Sequence, residues 1–206
     1  MQPAISTFAF LHLSALVQAA QFLARRLFVT CMLACSVGMA GMVCASAQDG
    51  PSEAKVKATF LFKFTAYVDW PPAAFVQADS PLVIGVVEAD EVANELSRLT
   101  VGRAVNNRLV VVRRLSGGDS VAGSHVLFIG GVAGSRLDRV LNNVRSQPVL
   151  TVTELDDALT FGSVINFVVI DDQVRFDVSL PAAERSSLKI SSRLLTVAHQ
   201  VVSVSP

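Results

Sequence analysis

The spacing of apolar side chains divides the chain into three stretches. Residues 27–43 (LFVTCMLACSVGMAGMV) are apolar or small without interruption. Residues 53–68 (EAKVKATFLFKFTAYV) predict a helix, with Val56, Phe60, Phe64 and Tyr67 on one stripe and Leu61, Phe62 and Val68 on other faces. A helix apolar on nearly every side needs cover from more than one direction. Trp70-Pro71-Pro72 ends it, because a proline ring cannot continue a helix. Beyond residue 80, short apolar runs alternate with amphipathic ones. Strands are predicted at 82–87, 108–113, 125–129 and 149–152. Helices are predicted at 90–99, with Asp90 as N-cap, and at 135–144, with Ser135 as cap and Leu137, Val140, Leu141 and Val144 inward.

Continuous apolar strands separated by helices indicate an α/β fold with a mostly parallel central sheet and helices on both faces. The pattern changes near the end. Runs 164–170 and 174–180 flank Asp171-Asp172-Gln173 and read as a C-terminal β-hairpin added antiparallel at a sheet edge. A helical turn near 182–185 and a last helix at 192–201 close the chain. No repeat or second domain is visible.

The first apolar run follows Arg25-Arg26 and precedes Ala45-Ser46-Ala47. Positive residues, a short apolar helix and small side chains at the cut are the order of an export signal. Seventeen residues with two glycines are short for the ~20 that span a bilayer, the requirement of the alternative, an uncleaved anchor. Residues 1–47 are therefore read as a signal peptide cleaved near Ala47/Gln48, and residues 48–206 as one extracytoplasmic domain. Cys31, Cys35 and Cys44 all fall in the signal, so the remainder has no thiol chemistry and no disulfide. Of the 17 Lys and Arg, all but Arg25 and Arg26 lie beyond Ala47, as do all 17 Asp and Glu. The domain is thus nearly neutral and lacks the basic field that draws proteins to nucleic acid.

Candidate chemistry is sparse. His125 and His199 have no metal-ligand spacing, and neither HExxH nor G-x-S-x-G occurs. Asp156-Asp157 and Asp171-Asp172 read as turn or capping pairs, since adjacent carboxylates do not face one another. Gly130-Gly131-Val132-Ala133-Gly134-Ser135 leaves a strand and opens a helix, where backbone N–H groups favour an anion. Gly130, Gly131, Gly134 and Ser135 are the candidate ligand loop, and a plain tight turn is the other reading. The aromatic helix likewise has two readings. Phe60, Phe62, Phe64, Tyr67 and Trp70 are either core or a partner or dimer surface. No cofactor and no catalysis are expected. Binding or regulation is favoured.

Three blocks together resemble the YfiR family of periplasmic proteins. Residues 57–71 (KATFLFKFTAYVDWP) are similar to its opening K-A-x-F-L-x-x-F-x-x-Y-V-x-W-P. Leu150-Thr151-Val152 followed by Gly162-Ser163-Val164-Ile165-Asn166-Phe167 resembles an L-T-V strand and a G-G-x-I-N-F segment. Residues 175–180 (RFDVSL) and 188–195 (LKISSRLL) resemble the ending R-F-x-I-N-x … G-L-x-I-S-S-x-L-L. Departures are Ser163 for Gly, Ser179 for Asn and Ser187 for Gly. The resemblance implies a periplasmic regulator that binds and represses an inner-membrane diguanylate cyclase, lowering cyclic-di-GMP and biofilm formation. It also implies relief by an outer-membrane lipoprotein and a homodimer. A sensor kinase or other envelope system is an alternative partner, served by a small-ligand-binding module.

Overall fold

The structure, a computed structural model, describes residues 51–116, 119–131 and 134–204. The segment expected to be an export signal, with Ala45 and Ala47, lies outside them. Helix α1 (Glu53–Tyr67) comes first. Ser52 is its N-cap and accepts the Lys55 N–H. The helix stops one residue before the predicted end. Val68 turns extended and opens strand β1 (Val68–Asp69), which pairs antiparallel with β9 (Lys189–Ile190). A 3₁₀ turn follows at Pro72–Ala74.

The main sheet contains β2 (Leu82–Val87), β3 (Ala104–Val105), β4 (Arg108–Leu115), β5 (Val126–Ile129), β6 (Leu150–Thr153), β7 (Ile165–Ile170), β8 (Gln173–Ser179) and β10 (Gln200–Val202). Their order is β10-β8-β7-β6-β5-β2-β4-β3. The five strands from β7 to β4 are mutually parallel, while β3–β4 and β7–β8 are antiparallel. Helix α2 (Asp90–Thr100) joins β2 to β4, and α3 (Gly134–Val144) joins β5 to β6. Alternation along β5 assigns the faces. Val126 and Phe128 share one core with Leu61 and Phe64 of α1 and Leu96 of α2. Leu127 and Ile129 share the other with Leu137, Leu141 and Val144 of α3. The predicted α/β architecture with helices on both faces is what forms.

Some details differ. Asp90 is the first helical residue; the cap position is Ala89, whose side chain makes no capping bond. Asp90 acts through charge at the helix N-terminus instead. Helix α3 starts at Gly134, which puts Ser135 within its first turn. The hairpin is not the edge. The predicted last helix ends early, as α5 (Ser192–Val197), and the chain turns extended to add β10 in parallel on β8. Ala198 is extended, with φ -66° and ψ 146°, and the His199 N–H docks on the Phe176 carbonyl. Helix α4 (Leu180–Arg185) precedes β9. Among the described residues, no helix is long and apolar enough to cross a membrane.

Candidate functional site

The sheet order reverses between β2 and β5, the first and third strands of the parallel block. Crossovers leave to opposite faces there, which opens a crevice at the strands' carboxyl ends. Gly130 sits in it. A Cβ at Gly130 would lie 2.8 Å from the Ala89 Cβ and 2.8 Å from the Glu88 carbonyl oxygen. Glycine is thus required by close approach of the two strand ends, with Glu88 itself at φ 51°. Gly131 has open space around it. Gly134 begins α3, and residues 132–133 lie outside the described ones.

The charges of this crest are paired within the chain. Arg136 bridges Glu88 at 2.5 Å. Lys57 of α1 lies 2.5 Å from both Glu53 and Glu154. Burial works against the Lys57 charge, but the two carboxylates outweigh it and hold its pKa above the ordinary lysine value. Cavities of about 350 and 450 Å3 flank this triad and share Glu53, Lys57 and Glu154. One continues to Asp90 and Glu91, the other to Asp156, Phe167 and His199. The charged groups lining these cavities are therefore mainly carboxylates, and Lys57 among them already has partners.

The aromatic helix divides by burial. Phe64 is 0% exposed; it belongs to the core and not to a surface. Phe60 packs partly buried beside it, and the two join Phe167 and Phe176 in edge and stacked contacts of 5.0–6.1 Å between centroids. Phe62 is half-buried, with the Arg103 guanidinium 5.4 Å from its ring centroid. Tyr67 is 37% exposed. Trp70 is half-buried, and its indole N–H donates to the His125 carbonyl at 3.1 Å. Of the five candidates, Phe64 alone is fully buried; Phe60, Phe62 and Trp70 are half-buried and Tyr67 is exposed.

Histidines and acidic pairs stand apart. His125 precedes β5 but is bonded into the ladder by its backbone. His199 holds Asp177 at 2.7 Å. Asp171 and Asp172, at φ 50° and 57°, form the two-residue turn of the β7–β8 hairpin. Among the described residues no group of three His, Asp or Glu side chains is placed to hold a metal.

Several contacts escaped the sequence reading. Thr153 is the centre of a buried network: its hydroxyl contacts Ser163 Oγ at 3.0 Å and Asn166 Oδ1 at 2.7 Å, and Asn166 Oδ1 also accepts the Leu155 N–H. The Glu53–Lys57 spacing was visible as an i,i+4 pair; Glu154, 97 residues away, was not.

The three family-like blocks are supports of this geometry. The first is α1, β1 and the Trp-Pro turn. The second carries the Thr153–Ser163–Asn166 network's strands. The third is β8 and the α4–β9–α5 return. The model of the family described as YfiR/HmsC-like matches residues 54–199. No curated protein matches the chain.

Proposed function

The chain belongs to the YfiR/HmsC-like family, and we propose that it is a periplasmic regulator that binds and represses a membrane diguanylate cyclase through that enzyme's periplasmic domain. On this reading, repression lowers cyclic-di-GMP and biofilm formation. An outer-membrane lipoprotein relieves it by sequestering the regulator, which works as a homodimer after signal removal near Ala47/Gln48. The observation that carries the reading is the reach of the family match. Residues 54–199 run from the second residue of α1 to the residue before β10, so nearly the whole domain is the family domain. On the aromatic helix and the turn after it, Tyr67 and the half-buried Phe60, Phe62 and Trp70 offer area to a partner or a second copy.

The experiment is capture of envelope proteins on the purified domain, paired with deletion of the gene. A membrane cyclase in the captured fraction and raised cyclic-di-GMP in the deletion strain are the expected results. Recovery of neither a membrane cyclase nor a kinase, with cyclic-di-GMP unchanged, sinks the proposal.

A second reading takes support from the position of Gly130, Gly131, Gly134 and Ser135 at the point where the strand order reverses. It makes the chain a small-ligand module feeding a sensor kinase. A ligand that binds only the folded state raises the melting temperature. A thermal-shift panel of anions, nucleotides and aromatic metabolites with no shift counts against it.

A further inference from the structure

The main sheet ends on β3, but β3 covers only the start of β4. The two strands pair at Ala104–Leu109 and Val105–Arg108, across a turn in which Asn106 and Asn107 take φ 50° and 62°. Among the described residues, the pairing on that side ends where the Val110 N–H donates to the Arg103 carbonyl at 3.0 Å. Beyond that bond β4 runs on to Leu115, in register with β2 on its other side. Backbone groups alternate in direction along a paired strand. Those of Val110 face β3, so those of Val112 and Arg114 face outward, where no strand follows. Those of Val111 and Arg113 face β2. An edge of this kind presents N–H and C=O groups to which a further strand can add.

The side chains around the edge say what fits it. Leu109 is 59% exposed and Val111 44%, and alternation puts both on one face of the strand. The charge is positive. Between Glu95 and Asp119 the chain holds five arginines and no carboxylate, in a domain that is nearly neutral as a whole. Arg98 is paired with Glu95. The other four have neutral partners among the described residues. Arg103 lies over the Phe62 ring, and Arg108 donates to the Gln77 and Ser80 carbonyls. Arg113 donates to the Ser120 and Ala122 carbonyls and to the Ser124 hydroxyl. Arg114 donates to the Asn94 side-chain carbonyl. These bonds fix the guanidinium groups along the edge without cancelling their charge. A strand that carries carboxylates is attracted there, and one that carries cations is repelled. The same charge opposes a second copy in this place. Antiparallel pairing of two β4 edges through Val112 and Arg114 would set Arg113 directly against Arg113.

We propose that the open edge of β4 receives an extended, carboxylate-bearing segment of a partner protein, which adds as a strand along Val112 and Arg114. This goes beyond the regulatory reading. It names the surface and the chemistry of a contact, and it does not depend on which protein supplies the segment. Its test contains no cyclase, so its failure and that of the regulatory reading are separate events.

The probes are two short synthetic peptides, one alternating valine with glutamate and one alternating valine with lysine, each added at about 1 mM to the purified protein. Amide chemical shifts and hydrogen exchange are read. The glutamate peptide should move the signals of residues 111–115 and slow exchange at the Val112 and Arg114 N–H groups about tenfold. Val111 and Arg113, already directed at β2, should keep their rates. Binding should weaken several-fold between about 0.05 and 0.3 M salt, and the lysine peptide should bind at least about threefold more weakly. Arg114→Pro removes an outward N–H and leaves the ladder to β2 whole; it should weaken the glutamate peptide about fivefold. Arg114→Glu keeps that N–H and carries the test if the proline variant does not fold. It should cut binding of the glutamate peptide about threefold or more and raise that of the lysine peptide. The proposal is overturned if neither peptide perturbs residues 111–115, if both bind there alike, or if sulfate at equal ionic strength reproduces the shifts. It is also overturned if folded Arg114→Pro binds as the parent does, or if exchange at Val112 and Arg114 slows with protein concentration alone, which would give the edge to a second copy.

Discussion

At the scale of single residues, the decisive positions are those whose environment no neighbour in sequence announces. Lys57 is 9% exposed, a burial that a lysine tolerates only when paired. Lys57→Met keeps the volume and strands Glu154 at 23% side-chain exposure. Discounted for that partial exposure, we expect a loss of about 1–2 kcal/mol in urea unfolding. Gly130→Ala drives a methyl into the Glu88 carbonyl and Ala89. Backbone has to move to admit it, and about 1–3 kcal/mol of stability should go with it.

At the scale of elements, the departures from the family's glycines acquire physical meaning. Ser187 follows α4 at φ 55°, and its N–H reaches Glu184 while that of Leu188 reaches Ala183. This is a Schellman end, where a left-handed residue is needed and glycine adopts it without strain. Ser187→Gly should therefore stabilise the protein by about 0.5–1 kcal/mol, read as a raised melting temperature. Ser179 for Asn changes little, since its hydroxyl caps α4 by accepting the Ala182 N–H. Ser163 for Gly puts a hydroxyl into the network with Thr153 and the Ile165 carbonyl. Helix α1 offers a contrast within one element. Phe64→Ala should cost about 3–5 kcal/mol by opening a cavity beside the three rings of Phe60, Phe167 and Phe176, and Tyr67→Ala within about 0.5 kcal/mol. Equal losses in denaturant midpoint would contradict the division of this helix into core and surface.

At the scale of the whole molecule, two oppositely shifted groups bound the pH range of stability. Lys57 has its pKa raised by folding, so its contribution is complete below the unfolded value and is lost as pH rises through the folded one. His125 has its pKa lowered, so its contribution is complete above the unfolded value and is lost as pH falls through it toward the folded one. We expect a denaturant midpoint that is level between the two unfolded values, 6.5 and 10.5, and falls on either side. Lys57→Met should flatten the alkaline limb alone.

The residue pattern by itself determined the element types, the parallel sheet with helices on both faces, the hairpin at 171–172 and, through three ordered blocks, the family. These are local signals: periodicity, proline stops and turn residues act over a few positions. Tertiary structure decided what depends on distance. It turned the buried face of α1 to Ala58, Leu61 and Phe64, and away from the expected stripe through Val56 and Tyr67. The reason is that Leu61 and Phe64 meet the apolar face of the sheet there, and Lys57 on the same face is met by Glu154. It also converted the end of the last predicted helix into β10, because the open edge of β8 offered unpaired backbone groups. And it brought His125 to Ala74, 51 residues away, a separation across which no sequence period carries information. The hydrogen bonds of that ring exist only once the sheet has closed.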